Sequence, residues 1–280
     1  MTPPGGIHPK KIHHKDTKNT KKKTYLILVF LCVLCVFVVN SLIMPEFLPL
    51  SDQAAMAYFP DEQAALNFAA AVRRAKPDWL VDVVQAYKSV AVFFDLDRIA
   101  FAQASLQLQE LIAAEPSPAS ATEARRLTAS ASQAAAEERE PVAHRIPCCY
   151  ELQLDLSRVA KHLELSTDEI VRLHSETEYT VYAIGFCPGF PYLGYLPDKL
   201  GGVPRLESPR PRVDVGSVGL TGRQTGIYTE ARPGGWNIIG RTPLELVHVA
   251  DGYFPIRTGD KVQFTRIDEA EFRRLFGQRL

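Results

Sequence analysis

The sequence lacks a surplus of either charge and has few cysteines. Its 280 residues contain 32 Lys and Arg against 32 Asp and Glu, so no overall electrostatic field favours nucleic acid as a partner. The five cysteines form no Cys/His cluster, and they predict neither a metal site nor a disulfide framework. Hydrophobic residues make up 46% of the chain, which suffices for the core of one large or two small domains.

A nucleotide-binding motif of the Walker A type is also absent. Segment 216–228, GSVGLTGRQTGIY, is rich in glycine, but no Lys-Ser/Thr pair and no long helix follow at the required spacing. A pair of glycine-rich β-turns in a barrel is an equally good interpretation of the glycines. Gln224, Thr225 and Tyr228 form a hydrogen-bonding trio that suits a carboxamide, lactam or carboxylate ligand.

One long apolar run is present, at residues 25–44. Its length matches the ~20 residues that a membrane-spanning helix needs. Lysines precede it and no Lys or Arg follows before Arg73, so the positive-inside rule places the N-terminus in the cytoplasm. The sequence as written therefore predicts a single-pass membrane protein with a basic disordered tail at 1–24. The alternative is a translation start at Met44, which would leave a soluble cytoplasmic protein and make the preceding residues untranslated upstream sequence.

Residues 51–115 predict a small α+β domain. A strand near 54–59 precedes a helix that opens at Pro60–Asp61 and stops at Pro77. Apolar runs at 80–84 and 90–94 predict a hairpin, and 100–113 predicts a second helix. The order β-α-β-β-α is most of a ferredoxin-like unit. Residues 116–141, rich in Ala, Ser and charge, predict a linker.

Residues 142–268 predict a mainly-β barrel, because short β-type runs alternate with Gly and Pro. Two helices are expected near its start, at 156–163 and 167–175, the second opened by a capping box of Ser166 and Glu169. Residues 269–280 predict a C-terminal helix with apolar residues on one side.

Several polar and aromatic residues of this second domain have two interpretations each. The loop Gly185–Pro191, with its prolines and aromatics, either walls a small-molecule pocket or turns a barrel corner. Trp236 either plugs the barrel or stacks on a ligand. Arg210 and Arg241 either bind a carboxylate in bidentate fashion or form exposed salt bridges. His174, in the last turn of a helix, is either a site residue or a histidine favoured there by the helix dipole.

The order of short motifs resembles the family variously called 5-oxoprolinase B-subunit, kinase A inhibitor-like or allophanate hydrolase subunit 1 (carboxyltransferase domain, subdomains C and D). The resemblance runs from about residue 51 to residue 267. The matching pieces are IPCCY (146–150), LH followed by YTVY (173–182), GF-PGFPYLG (185–194), GSVG (216–219), QTGIY (224–228), PGGW (233–236), IIGRTP (238–243) and GD-V-F (259–264).

The resemblance implies a cyclophilin-like barrel and a role as one subunit of a multi-component, ATP-dependent 5-oxoprolinase. Such an enzyme opens the lactam 5-oxoproline to glutamate. The chain alone is expected to be inactive, with ATP bound with or by its partner subunits, C and A. Two alternatives follow from other branches of the family: a non-catalytic inhibitor of a sensor histidine kinase, and a carboxyltransferase component of a urea or allophanate pathway.

The expected site lies at the mouth of the barrel, where Arg241, Arg210, Gln224 and Tyr228 are predicted to converge. The expected catalytic residues are Arg241, Gln224, Tyr228 and His174, and the expected substrate-binding residues are Tyr179, Pro188, Gly189, Phe190, Arg210, Thr225 and Trp236. No metal ligand is expected. The chain departs from the family pattern after Tyr150 and at Asp214, and the first departure could reshape the rim of the pocket.

Overall fold

Strands dominate residues 45–114 and 140–280, which are the residues described by the computed structural model. The strands are β1 (Leu48–Ser51), β2 (Ala54–Tyr58), β3 (Leu80–Ala86), β4 (Ser89–Phe94), β5 (Ala143–Cys149), β6 (Glu178–Ile184), β7 (Pro191–Gly194), β8 (Arg210–Val213), β9 (Ser217–Thr221), β10 (Gln224–Ile227), β11 (Arg232–Gly234), β12 (Asn237–Arg241) and β13 (Lys261–Ile267). The α-helices are α1 (Glu62–Ala75), α2 (Phe101–Ala114), α3 (Leu156–Leu163), α4 (Thr167–Glu176) and α5 (Glu269–Leu275).

A closed barrel of mixed strands forms the larger part. Its strand order is β6-β13-β5-β12-β9-β10-β7, and pairing between β7 and β6 closes the ring. Only β5 and β13 run parallel among these neighbours; the other pairs are antiparallel. Pro191 is the first residue of β7, a position where a strand tolerates a missing N–H. The loop before it is irregular, as its prolines and glycines predict.

The smaller part has the predicted order β-α-β-β-α, from β2 through α2. Its strands pair in the order β1-β2-β4-β3, and β1, which the sequence did not predict, adds an exposed edge. Helix α1 begins where Asp61 accepts a hydrogen bond from the N–H of Ala64 (2.8 Å), and it ends two residues before Pro77.

The sheet continues without a break from the smaller part into the barrel. Ala86 at the end of β3 pairs with Ala183 of β6. The turn that follows adds a hydrogen bond from the N–H of Tyr87 to the carbonyl of Tyr182 (3.0 Å). The described residues form one compact unit, and its two largest hydrophobic clusters lie one in the barrel and one under α1 and α2.

Two predictions need correction, and others fall outside the described residues. The prediction of a single-pass membrane protein is wrong for the described residues, because none of their helices is both long and apolar enough to cross a bilayer. The apolar run 25–44, the basic tail 1–24 and residues 116–139 of the predicted linker lie outside the described residues. The C-terminal helix is shorter than predicted, since α5 ends at Leu275.

Candidate functional site

His174 lies fully buried inside the barrel, within a linear chain of hydrogen bonds. Its Nδ1 is 2.7 Å from the hydroxyl of Tyr150, and its Nε2 is 2.9 Å from Oγ1 of Thr225. Thr225 donates its own proton to the carbonyl of Gly219 (3.0 Å), so it accepts from Nε2–H, and Nδ1 accepts from Tyr150. This assignment describes a neutral imidazole.

Burial reinforces that neutral state. Desolvation lowers the pKa of His174 to about 3, because a charged imidazolium would lose its hydration inside the core. Tyr179, also fully buried, donates its hydroxyl to the carbonyl of His174 (3.0 Å). The structure thus brings His174, Tyr179 and Thr225 together, but in the barrel interior and away from solvent.

A second predicted group forms an aromatic cluster behind the 185–191 loop. The ring centroid of Phe190 lies 5.4 Å from that of Tyr228 and 5.6 Å from that of Trp236, both edge to face. All three rings are buried. Gly234 must be a glycine here, since a Cβ would lie 2.2 Å from the Tyr228 hydroxyl oxygen. The three rings therefore belong to one hydrophobic cluster, separate from the main core of the barrel.

The loop itself is tied to the same cluster. The carbonyl of Pro188 accepts a hydrogen bond from Thr229 (2.7 Å), and Gly189 has a positive φ of 68° at a position where a Cβ would lie 2.3 Å from Cγ2 of Val247. Phe186, whose side chain is exposed, covers the outer side of the cluster. The geometry matches a barrel corner more closely than the wall of a pocket.

The two arginines have separate structural partners. Arg210 binds the buried carboxylate of Asp155 (2.6 Å), whose other oxygen accepts the N–H of Ile238 (2.7 Å). Arg241 donates to the carbonyl of Val215 (2.9 Å). Among the described residues, Arg241, Arg210, Gln224 and Tyr228 form no hydrogen bond with one another, and the first two and Tyr228 do not line the cavity that Gln224 lines.

Gln224 instead lines a cavity of about 330 Å³ between the barrel and the smaller part. We call this cavity the tyrosine pocket. It is lined by Tyr58, Glu62, Tyr87, Lys88, Tyr195 and Gln224, together with Ala86 and Ser89. Gln224 points here and its neighbour Thr225 points into the core because successive side chains of a strand lie on opposite faces.

Aromatic rings fix the shape of the tyrosine pocket. The ring of Tyr87 lies 6.1 Å from that of Tyr195, and both pack against Tyr182, at 5.6 and 5.5 Å. Tyr87 has a positive φ of 53°, a conformation that glycine or asparagine usually adopts. This backbone conformation turns β3 into β4 and holds the Tyr87 ring against the barrel.

The tyrosine pocket contains charged groups of both signs. Glu62 accepts a hydrogen bond from the hydroxyl of Tyr195, and Lys88 donates to the carbonyl of Pro60 (2.9 Å). Burial, and then the hydrogen bond to Glu62, raise the pKa of Tyr195 to about 12. The Tyr87 hydroxyl is shielded from solvent beside Gln224, yet it makes no hydrogen bond of ordinary geometry.

Sequence reasoning identified Gln224 but missed Tyr87, Lys88 and Tyr195. One signal was available: Tyr-Lys occupies the tight turn of a hairpin, where Asn-Gly or Asp-Gly is the usual choice. A turn that keeps a bulky aromatic in a left-handed conformation indicates a role beyond chain reversal.

The glycine-rich segment does not offer a phosphate cradle. Gly219 and Gly226 are register partners in the β9–β10 hairpin, Gly222 lies in its turn, and Gly216 precedes β9 and pairs with Tyr228 and Thr242 through its backbone. Their backbone groups face a neighbouring strand, and no helix N-terminus follows. These residues do not fit a nucleotide phosphate. Within residues 45–114 and 140–280, no group of three or more His, Cys, Asp or Glu side chains could hold a metal ion.

Comparisons with known proteins assign the chain to a family. A family model described as carboxyltransferase domain, subdomain C and D, matches residues 45–251. The B-subunit of 5-oxoprolinase from Bacillus subtilis is 45% identical over 130 residues, 45% of this chain and 54% of that protein. The protein of the same name from Escherichia coli O157:H7 is 51% identical over 111 residues, 39% of this chain and 50% of that protein. The matches thus span about half the length of these relatives.

Solved structures agree on the fold. TTHA0988 superposes with a TM-score of 0.62 at 30% identity, over 77% of this chain and 40% of that one. The K. lactis urea amidolyase shares the fold, with a TM-score of 0.58 at 17% identity over 82% of this chain and 15% of that one. The resemblance predicted from the short motifs is confirmed, and the chain belongs to the carboxyltransferase domain family, subdomain C and D.

Proposed function

We propose that this chain is one subunit of a multi-component, ATP-dependent 5-oxoprolinase, which opens 5-oxoproline to glutamate. The observation that carries the proposal is identity of 45 to 51% to three curated proteins, each named as the B-subunit of 5-oxoprolinase. The chain's part would be to bind and orient the lactam, since positioning a substrate in a preorganised polar site supplies much of an enzyme's rate acceleration.

The partners in the proposed enzyme are its C and A subunits, and ATP would be bound by them or together with them. The β9–β10 hairpin argues against a phosphate site in its glycines, because their backbone groups face a neighbouring strand. The chain alone is therefore proposed to be inactive.

The proposal extends to the fold. The closed barrel is proposed to be cyclophilin-like, and the β-α-β-β-α part to be ferredoxin-like. Separate hydrophobic clusters in the two parts support domain limits near 51–115 and 142–268, with the chain from 116 to 141 linking them. A cyclophilin-like shape implies no prolyl isomerase activity, because function is set by the site.

Reconstitution tests the proposal directly. The chain is co-produced with the A and C subunits, and ATP-dependent release of glutamate from 5-oxoproline is measured for the complete set and for each subset. We expect glutamate only from the complete set. Glutamate release by the isolated chain would contradict the proposed dependence on partners. Absence of glutamate from the complete set would reject the enzyme, and inhibition of a sensor histidine kinase by the chain would then favour the binding role.

A further inference from the structure

The tyrosine pocket contains a buried hydroxyl whose hydrogen bonding the protein leaves incomplete. The Tyr87 hydroxyl is buried and makes no hydrogen bond of ordinary geometry, although a buried polar group normally finds a partner. Beside it lies the carboxamide of Gln224, which has both a donor and an acceptor. Such groups at the wall of a cavity indicate that a ligand completes the hydrogen bonding.

A carboxamide selects a particular kind of ligand. In a small lactam ring the amide is held cis, so its N–H and its C=O lie side by side on one edge. The NH₂ and C=O of a glutamine side chain can pair with that edge through two hydrogen bonds at once. A hydroxyl next to the carboxamide, such as that of Tyr87, can add a donor to the lactam oxygen. Burial raises the pKa of Tyr87, which keeps this donor protonated.

The charges around the pocket favour a carboxylate on the same ligand. Lys88 lines the pocket and uses one donor for the carbonyl of Pro60, which leaves its other N–H groups available. The nearby carboxylate of Glu62 already accepts the hydroxyl of Tyr195. The pocket volume of about 330 Å³ suits a single small ring rather than a nucleotide or a peptide.

We propose that the tyrosine pocket binds a five-membered lactam carboxylate, with Gln224 and Tyr87 on the cis amide and Lys88 on the carboxylate. This inference rests on the proposed function and assigns the substrate to a place in the chain. The rings of Tyr58 and Tyr195 would cover the apolar faces of the lactam ring.

Titrations of the chain with three small molecules test the assignment. The probes are 5-oxoproline, 2-pyrrolidinone, which lacks the carboxylate, and proline, which lacks the lactam carbonyl. Gln224→Glu and Tyr87→Phe should weaken binding of 5-oxoproline and of 2-pyrrolidinone, each by about ten- to hundredfold. Lys88→Met should weaken 5-oxoproline by about tenfold and leave 2-pyrrolidinone unchanged. Proline should bind weakly to every form.

Gln263→Glu is the matched control, because Gln263 lies on β13 and lines a different groove. It should bind the probes as the parent does, and thermal unfolding should show that all variants fold. Equal affinity of the parent, Gln224→Glu and Tyr87→Phe for 5-oxoproline would overturn the assignment. Where the chain alone shows no saturable binding, the same variants are compared in the assembled complex, and an unchanged KM for 5-oxoproline would overturn it equally.

The two proposals fail in different ways. Glutamate release by the complex, with the parent's KM retained in Gln224→Glu and Tyr87→Phe, removes the pocket assignment and leaves the enzyme subunit. Lactam binding that depends on Gln224 and Tyr87, without glutamate release by the complete set of subunits, supports the pocket and rejects the enzyme.

Discussion

The hydroxyl of Tyr150 lies 2.7 Å from Nδ1 of His174, and both residues are buried in the barrel. Their contact begins the chain of hydrogen bonds that continues through Thr225 to the carbonyl of Gly219. A fully satisfied buried network of this kind specifies one arrangement of the core, whereas a broken one leaves unpaired polar groups. The network makes His174 a stabilising residue of the barrel.

Replacing His174 by alanine should therefore destabilise the protein strongly. The change leaves a cavity and deprives Tyr150 and Thr225 of their buried partner, for a loss of about 3 kcal/mol in the free energy of unfolding. Urea unfolding measures it. His162→Ala, at an exposed position of α3, is the control and should change the free energy by less than about 0.5 kcal/mol. A small effect at His174 would contradict the structural role.

The same histidine should make the barrel sensitive to acid. Burial holds the pKa of His174 at about 3 in the folded protein, below the value of about 6.5 in an unfolded chain. The unfolded state therefore binds a proton that the folded state does not, and stability from this residue falls as the pH drops from about 6.5 towards 3. Unfolding free energies of the parent and of His174→Asn between pH 7 and pH 4 provide the test. The variant should show the shallower pH dependence, and parallel curves would contradict the prediction.

Gly234→Ala should disturb the aromatic cluster, because the new Cβ would lie 2.2 Å from the hydroxyl oxygen of Tyr228. Overpacking of this kind costs about 1 to 3 kcal/mol. Adding Tyr228→Phe removes the clashing oxygen and should recover part of that loss, which a double-mutant cycle in urea measures. Gly185→Ala, where a Cβ meets no atom within 4 Å, is the control. Strictly additive effects at Gly234 and Tyr228 would argue against the clash.

Arg210→Met should destabilise the protein far more than Arg212→Met, although both arginines lie on β8. Arg210 neutralises the buried carboxylate of Asp155, which would remain unpaired, at a cost of about 1 to 3 kcal/mol. Arg212 pairs with Asp214 (3.0 Å) at the exposed surface, where an ion pair contributes about 0 to 1 kcal/mol. Chemical denaturation of the two variants provides the comparison, and equal losses would show that the Asp155 contact does not stabilise the fold.

Local signals in the sequence predicted most of the secondary structure. Helix α3 occupies the predicted residues 156–163, and α4 begins where Ser166 accepts the N–H of Glu169 (3.1 Å), as its capping box indicates. Strand β1 was missed because Pro49 lies within a short exposed edge that has no alternating pattern. Helix ends and their caps are determined by residues that are close in sequence, so local sequence patterns are enough to predict them.

The site was harder to predict, because it depends on which face of a strand each residue occupies. Gln224 and Thr225 are adjacent in a motif, yet one lines the tyrosine pocket and the other lies in the core. Successive residues of a strand face opposite sides, so the side chains of this motif do not act as one hydrogen-bonding group. The contribution of Tyr87 and Lys88 requires the docking of a distant turn on the barrel, a tertiary relationship that no local pattern indicates.

The continuous sheet affects how a ligand can bind in the tyrosine pocket, which lies between the smaller part and the barrel. Ala86 and Tyr87 join the smaller part to β6 through main-chain pairing, so no free hinge separates them along this line. We therefore expect a ligand in the tyrosine pocket to contact two parts that one continuous sheet holds together, and to bind without a hinge closure between them.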